Sequence, residues 1–96
     1  MAIRLLVPMD ALPERLEELV TTFQTLATEV RQEPGCEEYE LYQSTEKPNR
    51  LVLLEQWADE ASLETHAEQN RKRGLNLSAL RSGSGPMERY RTTEAS

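Results

Sequence analysis

The 96-residue chain predicts an α+β fold of the split βαβ, ferredoxin-like kind, with helices on one face of an antiparallel four-stranded sheet. Three observations carry that expectation. The elements read, in order, as strand, helix, strand, strand, helix, strand. A long amphipathic stripe runs from Leu12 to Val30. The strand Arg50 to Ala58 is apolar on both faces through its middle, so something must cover each side of it.

Ile3 to Val7 reads as a short apolar first strand, with Pro8 as its end. Asp10 then stands as a helix cap ahead of Pro13 in the first turn. Leu12, Leu16, Leu19, Val20, Phe23, Leu26, Ala27 and Val30 share one helical stripe. Acidic and polar residues fill the other side, and Pro34-Gly35 stops the helix. Cys36 to Ser44 alternates as a strand: Tyr39, Leu41 and Gln43 face one way, Glu38, Glu40 and Tyr42 the other. Thr45 to Asn49 is a polar hairpin loop. In the third strand Leu51, Leu53, Glu55 and Trp57 share a face, and Val52, Leu54 and Gln56 share its opposite. Asp59 caps the second helix, whose inner stripe reads Leu63, His66, Ala67 and Asn70 and which Gly74 interrupts. Leu75, Leu77 and Leu80 suggest a further short helix. Ser82 to Pro86 reads as a flexible breaker, Met87 to Thr92 as the last strand, and Thr93 to Ser96 as a polar tail. Residues 1–92 are expected to form one domain.

Two helices on one face leave the other face bare, with Val52 and Leu54 on it. Such a patch on a small domain calls for a partner. The expectation is a homodimer joined sheet to sheet around a shared barrel-like core. The net charge of −6 argues against nucleic acid as a partner, because that binding depends on neutralising phosphates. The charge is uneven: fifteen of seventeen acids precede residue 69, whereas six cations and one acid lie between Arg71 and Arg91. The lone cysteine, Cys36, permits no internal disulfide and reads as a small buried hydrophobe. No apolar run is long enough to cross a membrane, and no basic-then-apolar leader opens the chain. A cytoplasmic protein without membrane contact is the expectation.

Glu33-Pro-Gly-Cys-Glu-Glu-Tyr-Glu-Leu41, Leu53-Leu-Glu-Gln-Trp57, Ala61-Ser-Leu63 and His66 together resemble the antibiotic biosynthesis monooxygenase-type domains of the dimeric α+β barrel superfamily. The resemblance follows the element order over residues 1 to 92. It implies a dimer, and the members it resembles include cofactor-free quinol and anthrone oxygenases, haem-degrading enzymes, enzymes that process signal molecules and many proteins of unknown role. The stretch after His66 departs from many members, which carry a second His and a Phe there. The haem-degrading branch has an Asn on its first strand, where this chain has Arg4.

The candidate catalytic residues are His66, Trp57 and Glu55. Deprotonating a phenol or quinol near neutral pH needs a group of the histidine type, which makes His66 the candidate base; the alternative is a half-buried histidine bonded to a backbone carbonyl. Trp57 either stacks on a flat substrate or closes the core. Glu55 is either a pocket carboxylate with a raised pKa that accepts a substrate proton or orients the substrate, or the partner of Arg4 or another arginine near the sheet in a salt bridge. Tyr39, Asn70, Arg4 and Arg73 are candidate binding residues. The first two otherwise serve packing and surface roles. The run Arg71-Lys-Arg73, with Arg81, forms either a basic lip for an anionic group or a solvated helix end. The functional expectation is oxygenation of a small aromatic ligand by molecular oxygen with no cofactor. A ligand-binding dimer, a haem protein and an isomerase of phosphorylated signal molecules are the alternatives.

Overall fold

The computed structural model describes residues 2–74, 80–84 and 87–92. Its elements are β1 (Ala2–Ala11), a 3-10 turn (Pro13–Arg15), α1 (Leu16–Val30), β2 (Cys36–Gln43), β3 (Arg50–Trp57), α2 (Glu60–Arg73), β4 (Arg81–Ser84) and β5 (Glu88–Thr92). The strands form one antiparallel sheet in the order β2-β3-β1-β4, with β5 also beside β1. β5 pairs with Ala2 to Leu6 and β4 with Met9 to Ala11. The two short strands therefore share the fourth position of the ferredoxin-like sheet.

That arrangement corrects three expectations. β1 does not end at Pro8. Ala11 donates its N–H toward β3, to Asn49, and Leu12 donates away from β3, to Leu80. By alternation Pro8 turns its missing donor away from β3, into the handover between Leu6↔Glu88 and Met9↔Ser84, where a proline removes least. Asp10 is consequently a strand residue, paired with Arg50 across the sheet, and not a helix cap. The α-helix starts at Leu16 after the proline-led 3-10 turn, with no side-chain cap. Finally, Ser82 to Ser84 belong to a strand rather than a breaker, because β1 offers them an open edge. The Leu75 to Ala79 part of the suggested short helix, and the tail from Thr93, lie outside the described residues.

The core lies between the sheet and the helices. α1 buries Leu19, Phe23, Leu26, Ala27 and Val30 against Met9, Ala11, Tyr39, Leu51, Leu53 and Trp57. The alternation in β3 is clean: Leu51, Leu53, Glu55 and Trp57 are buried, and Val52, Leu54 and Gln56 are half-buried. Across the register, Leu6 faces Leu54 and Pro8 faces Val52. An apolar strip thus crosses the bare face, flanked by the exposed Tyr42 and Tyr90.

α2 is different in kind. His66 is its only buried residue, and Ala67, expected inside, is exposed. Its start follows expectation: Asp59 accepts from the Ser62 N–H at 2.8 Å, and Gly74 closes its end in the left-handed conformation with φ +64°. Leu63 is the one apolar residue of α2 packed against the core, so the placement of α2 depends heavily on the polar contacts of the His66 imidazole.

Candidate active site

Three backbone segments meet around His66. The first is the turn that follows α1. Glu33 and Cys36 close it through the Cys36 N–H bond to the Glu33 carbonyl, and the Ala58 N–H bonds the Gly35 carbonyl. The turn is thereby tied to the end of β3. Gly35 has φ +82°, and a Cβ there would sit 2.1 Å from Ser62 Oγ. Only glycine allows the turn to lie this close to the first turn of α2. Glu33 is in this way delivered to the α2 residue one turn further on. The second segment is the end of β3, where Glu55 and Trp57, two residues apart, share the helix-facing side. The third is α2 itself, where Leu63, His66, Asn70 and Arg73 fall on one stripe at spacings of three and four.

The side chains connect into one network. His66 Nδ1 lies 3.1 Å from Glu33 Oε1. His66 Nε2 lies 3.1 Å from Asn70 Nδ2 and 3.6 Å from Glu55 Oε1. Trp57 Nε1 donates to Glu55 Oε1 at 3.0 Å. Its ring stacks on the imidazole with centroids 4.5 Å apart and planes 28° from parallel. Tyr39 meets the imidazole edge-on at 5.8 Å. Arg73 donates from Nη2 to Glu33 Oε2 at 2.7 Å and from Nη1 to Asn70 Oδ1 at 2.8 Å. Trp57 is fully buried, and His66 and Glu55 are 4% and 6% exposed. Charged or polar groups this deep persist only when they are bonded, and each of these is.

Burial, as the leading cause, raises the Glu55 carboxyl above the ordinary carboxylate range; the Trp57 hydrogen bond and the nearby imidazole oppose it. Burial likewise raises the Tyr39 phenol, so it stays protonated at neutral pH. Cys36 is half-buried and its thiol is raised chiefly by burial, which makes it a poor nucleophile.

Tyr39, Glu55, Trp57, His66, Asn70 and Arg73 therefore assemble at one place. Arg4 does not. It lies on the opposite sheet face, bonded to Gln56 and beside Glu38, so the alternative of a salt bridge from Glu55 to Arg4 does not hold, and the partners of Glu55 are Trp57 and His66. Arg71 is exposed and pairs with Glu68, which is not a member of the network. Glu33 is the residue that sequence reasoning passed over as a partner; its signals were its place directly before the Pro-Gly turn and at the head of the family-like stretch Glu33 to Leu41. Among the described residues no set of three or more His, Cys, Asp or Glu side chains converges to hold a metal ion. Glu33 and Glu55 approach different nitrogens of the ring. A recess of about 300 Å³ between α1 and β2 is lined by Phe23, Ala27, Arg31 and Leu41 among others, and His66 does not line it.

The sequence model of the antibiotic biosynthesis monooxygenase family matches residues 2–71, a span that holds every member of the network except Arg73. YcnE of Bacillus subtilis (strain 168), which carries the name of a candidate monooxygenase, is 32% identical over 83% of this chain and 84% of its own length. The crystal structure of a conserved protein from Methanosarcina mazei Go1 superposes with a TM-score of 0.88 at 30% identity, covering 97% of this chain and 94% of that one. A Caulobacter crescentus CB15 structure bearing the family's name superposes at 0.86 with 24% identity over 97% and 91% of the two chains, a likeness of fold alone. With more than two thirds of its length matched by the family model and the same fold throughout, the chain belongs to the antibiotic biosynthesis monooxygenase family.

Proposed function

We propose that the protein is a cofactor-independent monooxygenase-type enzyme acting on a small aromatic substrate of the quinol or anthrone kind. The observation that supports this reading is the contact of the sole histidine with Trp57 and Glu55 in a buried site. His66 is the base: its Nε2 takes the proton of a substrate O–H. The resulting anion gives one electron to O₂, forming a substrate radical and superoxide, which combine to make the new carbon–oxygen bond. The proton held on the imidazole returns to the peroxide, and loss of water leaves one oxygen atom on the product as a carbonyl. The protein's share is deprotonation, orientation and exclusion of water. Trp57 backs the imidazole and forms the wall of the site, and Glu55 orients the polar end of the substrate. Asn70 is exposed and lies against Nε2, so a substrate would approach the base past Asn70 and its partner Arg73.

Oxygen uptake by the purified protein with a panel of quinols and anthrones tests the reading. Uptake above the uncatalysed rate that is lost in His66→Ala is expected. Uptake no faster than buffer with every member of the panel would count against it.

One observation favours a second reading, a dimer that binds a metabolite without turning it over. Both nitrogens of His66 are already bonded within the chain, as they would be in a purely structural histidine. Binding without oxygen uptake separates the two. In either case the functional unit is a homodimer joined through the bare sheet face, a proposal supported by the apolar strip Leu6, Pro8, Val52 and Leu54.

A further inference from the structure

The hydrogen bonds around His66 carry more information than their lengths, because one member of the network can only donate. A guanidinium has no acceptor. The atom of the Asn70 amide that faces Arg73 Nη1 at 2.8 Å must therefore be the oxygen, whatever orientation an amide is otherwise given. The amide nitrogen then faces His66 Nε2 at 3.1 Å, and an NH₂ group can only donate. Nε2 must accept, so it carries a lone pair. The ring proton is left on Nδ1, where Glu33 Oε1 accepts it at 3.1 Å. The same guanidinium, through Nη2, holds the other oxygen of Glu33 at 2.7 Å.

We infer that Arg73 is the positioning residue of this site: by gripping Glu33 with one nitrogen and Asn70 with the other, it fixes His66 as the neutral tautomer with its proton on Nδ1 and its lone pair on Nε2. The functional weight of this device rests on the reading of His66 as a base, since it is that lone pair which receives the substrate proton. A substrate hydroxyl reaching Nε2 takes the place of the Asn70 amide as donor. The proton it gives up produces an imidazolium flanked by Glu33 at one nitrogen and Glu55, 3.6 Å away, at the other. The Glu33 carboxylate, bonded at Nδ1 to a ring that becomes a cation only during the reaction, stabilises the state after proton transfer more than the state before it. The two contacts also use the fork of the guanidinium, which a single ammonium cannot reproduce.

The test needs no substrate, and His66 is the only histidine in the chain, so its signals are unambiguous. Protein labelled with nitrogen-15 histidine is measured by long-range proton–nitrogen correlation near neutral pH. The inference expects two widely separated ring-nitrogen shifts, a protonated Nδ1 and an unprotonated Nε2. In Arg73→Ala that single pattern should be lost, with the two shifts drawn together as the other tautomer mixes in. Arg73→Lys, which keeps the charge and the fold but not the fork, should fall between. A wild-type ring protonated on Nε2, or on both nitrogens, overturns the inference. So does an unchanged pattern in both variants. If the tautomer is as expected and no quinol or anthrone is oxidised, the oxygenase reading fails while the positioning role of Arg73 stands.

Discussion

At the scale of single residues, the site is built by side chains that also hold up the core, which decides how they should be probed. Trp57 is fully buried and donates to a buried carboxylate, so replacing it with alanine would remove a core ring as well as a site wall, at a cost of about 3–5 kcal/mol. Trp57→Phe is the cleaner change. It keeps an aromatic face on His66 but leaves Glu55 Oε1 without its donor, and thermal unfolding should report a loss of about 2 kcal/mol; a change near zero would mean the Trp57–Glu55 bond contributes nothing. Glu55 makes a separate prediction about pH. Its folded pKa is raised from 4.5, so the folded chain holds this proton more tightly than the unfolded chain does. The stabilisation is complete below the unfolded value and is lost as pH rises through the folded value. Glu55→Gln carries no such proton and can still accept from Trp57 Nε1. Its melting temperature relative to wild type should therefore climb as pH is raised from mildly acidic to neutral. A flat difference across that range would show that Glu55 is not held protonated by burial.

At the scale of elements, the decisive piece is the turn from Glu33 to Cys36. It joins α1 to β2, is pinned to β3 through Gly35 and Ala58, and presents Glu33 to α2. Gly35→Ala asks a non-glycine residue to adopt φ +82° and places a methyl 2.1 Å from Ser62 Oγ. The left-handed backbone alone costs about 1–2 kcal/mol, and the clash must also push α2 off the turn. The variant should lose more than about 2 kcal/mol of stability, and the His66 ring signals should shift with it. An alanine variant as stable as wild type, with unmoved His66 signals, would contradict this account of how Glu33 reaches the imidazole.

Much of this was legible in the sequence. Strict alternation in Arg50 to Trp57 assigns each side chain to its face without knowledge of any neighbour. Asp59 three residues before Ser62 is a complete local cap. Features that depend on partners distant in sequence were not legible. Ser82 to Ser84 have no strand propensity of their own, and their pairing is decided by the open edge of β1. Pro8 reads locally as a strand end, and is tolerated because two different strands meet beside it. Glu33 and His66 are 33 residues apart, and nothing in the local pattern around either reveals the other. The stripe of α2 misplaced Ala67 for a related reason: a helix held largely by polar contacts presents Asn70 and Arg73 beside Leu63 to the rest of the chain and leaves Ala67 exposed.

At the scale of the whole molecule, one sheet face is covered by helices and the other carries Leu6, Pro8, Val52 and Leu54 half-buried, with Tyr42 and Tyr90 exposed beside them. In the proposed homodimer this strip is the centre of the interface. Leu54→Glu, which places a charge opposite Leu6 in the register, should convert a dimer into a monomer at micromolar concentration. A wild-type protein that is already monomeric there would remove the dimer from the account. The charge asymmetry of the chain has a local explanation at the same scale: Arg73 is drawn into the network by Glu33, and Arg89 and Arg91 both reach Glu60. These cations serve ion pairs within the fold, and no nucleic-acid surface need be invoked for them.

The proposed reaction transfers one atom of molecular oxygen to an aromatic substrate, with His66 as the base. Turnover of an anthrone or quinol under oxygen-18 gas, followed by mass spectrometry of the product, tests it most directly. The product should carry one labelled atom, forming faster than in buffer with the wild type and at the buffer rate with His66→Ala. Product that carries no label, or that forms as fast with the variant as with the wild type, would contradict it.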